Sequence, residues 1–186
     1  MEINSFHGTN EKGEKAILSS NFKIRIPVIM NRSTKKLPGS LGYGFYTFKD
    51  GLSNPKELAY EFSNKFNDQV VVLKIISSIS ENTILDLNNS DSKNEYRLFY
   101  NKSVKSAKSI CRTKGIKINN RKQHVFDGVV LELYINYLKR KKHITVNGIV
   151  HDTVTAIKNE GFSDIENSRE FCIRDNAIIK DIIIDV

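Results

Sequence analysis

The amino-acid sequence predicts an α+β fold in which short strands and a few helices follow one another irregularly. Three observations support this prediction: a β-branched run at residues 70–76, a glycine-punctuated aromatic run at residues 42–48, and two apolar strand-like stretches at residues 170–175 and 178–186. The helical signals do not alternate with the strands as a doubly wound parallel sheet requires. We therefore expect one α+β domain over residues 1–186.

The individual elements follow from local patterns of polarity, capping and turn residues. In the first half we expect a strand at residues 1–6, a helix at 10–18 capped by Asn10, a strand at 22–26, a loop to Ser40, the aromatic strand at 42–48, a helix at 55–66 opened by Pro55, and a buried strand at 70–76. In the second half we expect a short strand near 83–87, helices at 91–111 and 128–142 with Asp127 as N-cap of the latter, a hairpin at 144–150 around Asn147-Gly148, and closing strands at 170–175 and 178–186.

The composition excludes several classes of protein. Of the 186 residues, 39% are hydrophobic and 27% are charged, which is too apolar for disorder to be the default. No apolar run reaches the roughly 18 residues that a spanning helix needs, and no secretory signal is visible at the start. The two cysteines, Cys111 and Cys172, are too few for a disulfide framework or a four-ligand zinc site. We expect a reduced, cytoplasmic protein with no metal and no membrane partner.

The positive charge is concentrated in one segment. The formal net charge is +8, yet residues 101–143 alone contain twelve basic side chains and only two acidic ones, Asp127 and Glu132. The densest run is Lys139-Arg140-Lys141-Lys142. A basic helical segment of this kind attracts a phosphate backbone, an anionic surface or an acidic partner, or it is simply a solvated face.

Most common catalytic patterns are missing from the sequence. It contains no glycine-rich loop followed by Lys-Ser/Thr, no strand–GxGxxG–helix arrangement and no Gly-x-Ser-x-Gly elbow. The histidines have neither metal-ligand spacing nor cysteine companions; they are His7, His124, His143 and His151. The usual kinase, hydrolase and zinc chemistries therefore have no residues to support them.

Three motifs remain, and their order along the chain is informative. They are Phe6-His7-Gly8-Thr9, Gly42-Tyr43-Gly44-Phe45-Tyr46 and Glu170-Phe171-Cys172-Ile173-Arg174-Asp175. This order resembles the H-Y-E class of ADP-ribosyltransferases, the diphtheria-toxin and poly-ADP-ribose-polymerase type. The resemblance covers residues 1–80 and 144–186, and it implies a split antiparallel or mixed β-sheet with flanking helices. The basic segment between these regions carries no motif of the family.

The resemblance implies that NAD is the substrate and assigns a role to each motif residue. Glu170 would stabilise the oxocarbenium-like ribose that forms when the nicotinamide bond breaks. His7 would hydrogen-bond a ribose hydroxyl and orient NAD, and Thr9 would add a hydroxyl contact. The backbone of Gly8 would approach the nicotinamide amide, where a side chain would block it.

Two aromatic side chains would hold the nicotinamide ring. Tyr46 comes from the second motif, and Tyr60 lies on the following helix, where the family often places a second aromatic residue. Phe62 or ordinary core packing explains the same helix equally well. The loop over the NAD diphosphate contains no motif that selects one of its basic residues, which are Arg25, Arg32, Lys35 and Lys36.

Several functional interpretations stay open. The first is a mono-ADP-ribosyltransferase, of the toxin or phage-defence type, with a cognate antitoxin as a further partner. Its acceptor would be nucleic acid, RNA in particular, bound by Lys139, Arg140, Lys141 and Lys142, in preference to protein. The second is an NAD glycohydrolase in which water replaces the acceptor. The third is a non-catalytic module that binds nucleic acid or an antitoxin.

Overall fold

Seven strands form one mixed sheet in the computed structural model, which describes residues 1–31, 36–116, 124–156 and 165–185. The strands are β1 (Glu2–Thr9), β2 (Phe45–Lys49), β3 (Val71–Ser78), β4 (Ile84–Asp86), β5 (Gly148–Thr153), β6 (Ser168–Ile173) and β7 (Ile179–Ile184). The helices are α1 (Glu11–Leu18), α2 (Pro55–Asn64), α3 (Ser90–Thr113) and α4 (Val125–Tyr137), and a π-helical turn (Leu138–Lys142) continues α4. The α+β prediction is confirmed.

The strand order in the sheet is β4-β5-β6-β2-β1-β3-β7. Strands β4 and β5 are parallel, and each of the other described pairs is antiparallel. The N-terminal strand β1 therefore lies near the middle of the sheet, beside strands that come from distant parts of the chain. This arrangement brings β1, β2 and β6 together.

Both faces of the sheet are covered. On one face, α2 packs over β1 and β2 through Leu58 and Ala59, and α4 packs over the β5–β6 half with α3 outside it. On the other face, α1 and the segment after it cover a separate cluster built on Leu73, Ile75 and Phe171. The first face, which carries α2 and α4, is called the helical face below.

Three helices begin where an asparagine satisfies free backbone N–H groups. The side chain of Asn10 accepts from Gly13, that of Asn54 from Lys56 and Glu57, and that of Asn89 from Asp91 and Ser92. In α2, Pro55 at the first position adds a fixed φ and lacks the N–H that would otherwise need a partner. The predicted helices at 10–18, 55–66 and 91–111 are therefore confirmed.

Residues 22–26 do not form the strand that their alternation predicts. Phe22 and Ile24 pack against the sheet from outside it, and the side chain of Asn176 accepts the Ile24 N–H at 2.6 Å in place of a ladder partner. The aromatic strand also begins later than predicted, at Phe45, because Gly42 adopts a φ of +77° in a turn.

Two further predictions are wrong in the second half. Asp127 is not the N-cap, since α4 starts two residues earlier, after His124 in the left-handed region. Asn147-Gly148 is not a hairpin turn, because Gly148 is the first residue of β5. A Cβ at Gly148 would approach the Phe171 ring to 2.6 Å, so the glycine serves close packing.

No helix in the described ranges is both long and apolar enough to cross a membrane.

Candidate functional site

Three neighbouring strands carry the residues of the predicted site. His7 lies on β1, Tyr46 on β2 and Glu170 on β6, in the spatial order β6-β2-β1. The ladder between β1 and β2 is short and ends after the pair Phe6–Phe48. Beyond that pair no register partners join the two strands, and this unpaired end of the β1–β2 ladder is called the split below.

The imidazole of His7 lies at this split. Its Nδ1 is 2.8 Å from the carbonyl oxygen of Tyr46. A carbonyl oxygen only accepts, so Nδ1 carries the proton and donates. Burial lowers the pKa of His7, which keeps the ring neutral near pH 7. Its Nε2 is then an acceptor, and within the described residues no hydrogen bond reaches that atom.

Tyr46 is held in place by its hydroxyl group. The hydroxyl donates to the Gly42 carbonyl at 2.7 Å and accepts the Leu41 N–H at 2.9 Å. The turn that supplies these groups is itself closed by two hydrogen bonds between Gly39 and Gly42. Burial, with contributions from Cys172 and Glu170, raises the pKa of Tyr46, so the phenol stays protonated and its ring is fixed.

Glu170 is a partly buried carboxyl group on the helical face. In the β2–β6 register it lies opposite Phe48, and Tyr46 is two residues from Phe48, so the three side chains share this face. The hydroxyl of Ser40 donates to Glu170 Oε2 over 3.4 Å, and no ion pair to Glu170 occurs in the described residues. Burial raises its pKa to about 7.

Gly8 and Thr9 have structural explanations of their own. A Cβ on Gly8 would lie 2.0 Å from the Ala59 carbonyl oxygen, so the glycine allows α2 to pack directly on β1. The Thr9 hydroxyl occupies the space where a Cβ on Gly13 would lie, above the first turn of α1. Both residues stand at the split end of β1, as predicted, and neither identity requires a ligand.

Tyr60 does not face Tyr46. It is 45% exposed, on the side of α2 toward β3 and β7, where it lines a groove with Val72 and Ile184. Phe62 lies instead beside Phe48, with ring centroids 6.0 Å apart, and is 41% exposed. Because Phe48 is the register partner of Glu170, the aromatic side chain that α2 offers to this site is Phe62.

A buried ion pair holds the turn that fixes Tyr46, and sequence reasoning did not find it. Arg174 donates from Nη1 to Glu132 Oε1 at 2.5 Å and from Nη2 to Oε2 at 3.1 Å. The same two side chains bind Tyr43, because Glu132 accepts its N–H and Arg174 donates to its carbonyl. The signal was an acid within the apolar run of α4, which a buried position tolerates only with a partner.

The basic run on the π-helical turn is exposed. Lys139, Arg140, Lys141 and Lys142 all reach solvent, and Lys142 forms an ion pair with Glu95 near the start of α3. The remaining predicted cations at positions 32, 35, 117, 121 and 122 lie outside the described residues.

Comparison of the chain with protein-family models, with curated proteins and with solved structures gave no match.

Proposed function

We propose that the protein is a mono-ADP-ribosyltransferase that cleaves NAD and transfers ADP-ribose to a nucleic acid, as a toxin or phage-defence effector. One observation supports the proposal: the imidazole of His7 binds the backbone carbonyl of Tyr46, and the ring of Tyr46 shares the helical face with Glu170, although the three residues are far apart in sequence. The resemblance of the three motifs to the H-Y-E class assigns these same three residues to NAD.

The chemistry that this arrangement supports is departure of nicotinamide from the ribose. The bond between ribose C1′ and the nicotinamide nitrogen breaks with its electron pair going to nicotinamide, and positive charge develops on the sugar. Glu170, once ionised, places a negative charge in a poorly solvated position where it is worth more than in water. The protein thus binds the transition state better than the substrate.

The neighbouring residues would orient NAD. The bare Nε2 of His7 is suited to accept a hydrogen bond from a ribose hydroxyl, because Nδ1 is already engaged by Tyr46. The rigid ring of Tyr46 and the exposed ring of Phe62 offer flat apolar faces to the partly cationic nicotinamide. In this proposal Phe62 takes the role that the resemblance assigned to Tyr60.

The exposed basic residues of α3 and of the π-helical turn favour a nucleic acid as the acceptor. From Arg97 to its end, α3 carries no acidic residue, and its outward side presents Arg97, Lys102, Lys105, Lys108 and Arg112. Lys93, at the start of α3, is close enough to His151 on β5 to lower the pKa of that histidine. The ion pair between Lys142 and Glu95 joins the second basic run to the same end of α3. Together these cations would guide a phosphate backbone toward Glu170.

The decisive experiment uses NAD labelled on its adenylate half, incubated with separate pools of RNA, DNA and cell protein. We expect label in RNA with the wild-type protein. For Glu170→Gln we expect unchanged NAD affinity and a turnover lower by about 10²-fold or more, equivalent to roughly 3 kcal/mol of lost transition-state stabilisation. Glu81→Gln, an exposed carboxylate in the turn before β4, is the matched control and should label RNA normally.

Each other outcome overturns part of the proposal. NAD consumption that releases only free ADP-ribose would indicate a glycohydrolase with water as nucleophile. Label in protein alone would replace the nucleic-acid acceptor by a protein acceptor. No NAD consumption, or full turnover by Glu170→Gln, would remove the catalytic role and leave a binding module.

A further inference from the structure

His151 lies directly opposite Glu170 in the sheet. The two residues are register partners between β5 and β6, so both side chains point to the helical face. Side chains in such a pair have Cβ atoms about 4.5–5.5 Å apart. A histidine therefore stands beside the proposed catalytic carboxyl, on the side away from His7, and the steps assigned above to NAD cleavage do not use it.

The hydrogen bonds around His151 determine its tautomer. The backbone N–H of Asp152 donates to Asn88 Oδ1 at 2.8 Å, and Asn88 Nδ2 donates to Asp152 Oδ1 at 3.3 Å, which fixes the orientation of the amide. The contact of His151 Nδ1 with the same Asn88 Oδ1, at 3.2 Å, is then donation from a protonated Nδ1. The lone pair of Nε2 remains available as a base.

The surroundings keep this imidazole neutral near pH 7. Burial and the positive charge of a lysine on α3 lower the pKa of His151, and nearby carboxylates oppose them. One of these carboxylates, Asp152, is already neutralised by a bidentate pair with Arg169. The charged or titratable groups around the ring are Lys93 from α3, Asp86 from β4, Asp152 from β5, Glu166 before β6 and Glu170 from β6.

We propose that Nε2 of His151 is the general base that takes the proton from a hydroxyl group of the RNA acceptor. The inference rests on the proposed function and deepens it, because it identifies the acceptor atom as a hydroxyl oxygen. A hydroxyl is a weak nucleophile unless its proton is removed as it attacks, and a base of this kind typically contributes about 10²–10⁴-fold.

The step balances with NAD and the RNA hydroxyl as the reactants. The bond from C1′ to the nicotinamide nitrogen breaks, and neutral nicotinamide leaves with the electron pair. The acceptor oxygen forms a bond to C1′ while its proton moves to His151 Nε2, which later releases it to solvent. Glu170 stabilises the ribose cation between these events, so the two residues divide charge stabilisation and proton removal between them.

The test compares transfer with hydrolysis in one reaction. His151→Asn retains a side-chain N–H donor toward Asn88 and removes Nε2, so it isolates the base. With adenylate-labelled NAD and synthetic RNA oligonucleotides, we expect transfer to RNA to fall about 10²-fold and NAD affinity to remain unchanged. Release of free ADP-ribose should fall less, and added imidazole should restore part of the transfer. Glu170→Gln, in contrast, should lose both reactions.

A measurement on the wild-type protein makes the test independent of how the variant folds. Protonation of His151 blocks transfer more than hydrolysis, so the ratio of RNA label to free ADP-ribose should fall as the pH is lowered from about 8 to about 5. A constant ratio, or normal transfer by His151→Asn without imidazole, would overturn the proposal while the transferase function stood. Label only in protein, or no NAD consumption by the wild type, would overturn the proposed function itself and this proposal with it.

Discussion

Two glutamates lie on either side of the turn that holds Tyr46, and their carboxyl groups differ in their hydrogen bonds and ion pairs. Glu132 on α4 is 6% exposed in its side chain and is paired with Arg174 through both carboxylate oxygens. Glu170 on β6 is partly exposed, has one long hydrogen bond from Ser40, and has no ion pair in the described residues. Burial raises the pKa of Glu170 to about 7.

The difference distinguishes a carboxylate that stabilises the structure around Tyr46 from the one to which we assign the reaction. Both carboxylate oxygens of Glu132 accept hydrogen bonds, from Arg174 and from the Tyr43 N–H, so its charge stabilises the turn around Tyr43. Glu170 keeps its bonding capacity for a ligand, although burial makes its charged form unfavourable. A partly buried carboxyl group with incompletely satisfied oxygens is the arrangement expected of a functional group.

The largest effect should follow from breaking the structural pair. Arg174→Met leaves the Glu132 carboxylate buried without a cation, and we expect a loss of about 3–5 kcal/mol in the free energy of unfolding. Chemical denaturation measures it. Adding Glu132→Gln removes the stranded charge and retains an acceptor for the Tyr43 N–H, so the double variant should recover most of the loss. Equal stability of the single and double variants would contradict this account of Glu132.

The second effect concerns the pH dependence that Glu170 imposes. In the unfolded chain this carboxyl ionises at its ordinary pKa of 4.5, whereas the folded protein holds the proton to about pH 7. The folded state thus binds more protons between these values, and stability falls as the pH rises through that window. At about pH 8 the free energy of unfolding of Glu170→Gln should therefore exceed that of the wild type by roughly 1–3 kcal/mol. At about pH 4 the two should differ little, and chemical denaturation at both pH values measures this.

Activity should change with pH in the opposite sense to stability. In the proposed mechanism the ionised form of Glu170 stabilises the ribose cation, so NAD turnover should rise as the pH increases through about 7. If turnover fell over this range, or if Glu170→Gln left the pH dependence of stability unchanged, ionisation of Glu170 would not be the event that controls activity and stability. The pair of profiles tests whether the two glutamates differ as proposed.

The sequence pointed to the residues of the proposed site, whereas it did not reveal the buried pair of Glu132 and Arg174. His7, Tyr46 and Glu170 could be located because each occurs in a short local pattern at one end of a strand. The asparagine and proline caps of α1, α2 and α3 are local as well, and their helices were predicted correctly. The partner of Glu132 is 42 positions away, just after β6, and no local pattern contains that information.

The other differences from expectation also have non-local causes. Whether α2 presents Tyr60 or Phe62 to the site depends on how the helix is rotated on β1, and that rotation follows from Gly8 packing against Ala59. Gly148 resembles a turn residue, yet its identity is explained by the Phe171 ring on the neighbouring strand. In both cases the glycine is explained by a residue that packs closely against it and lies far from it in the sequence, so the local sequence does not reveal the contact.

A smaller effect is expected from the aromatic residues on α2, near the proposed NAD site. Phe62→Ala removes the ring beside Phe48, and we expect NAD to bind about 5–30-fold more weakly, as for removal of one stacking or cation–π partner. Tyr60→Ala is the matched control on the same helix and should bind NAD normally. Isothermal titration distinguishes the two, and the reverse ranking would restore Tyr60 to the site.

The smallest effect per residue is expected at the basic surface, because exposed charges are screened by salt. Reversing Arg97, Lys105 and Arg112 on α3 to glutamate should weaken RNA binding and flatten its salt dependence. The slope should fall by about 0.7 for each phosphate of a single strand that the protein no longer neutralises. Hydrolysis of NAD should be unchanged, because α3 contributes no residue to the proposed NAD site.

The matched control for the basic surface is reversal of Lys12 and Lys23, which are exposed on the opposite side of the sheet. We expect this control to bind RNA nearly as the wild type does, because its two cations lie away from α3 and from the site. An equal weakening in both sets would mean that net charge alone attracts RNA. If the salt dependence of RNA binding were unchanged in the α3 variant, the basic surface would not bind the acceptor. The proposed nucleic-acid acceptor would then be wrong, whereas the difference between Glu132 and Glu170 would be unaffected.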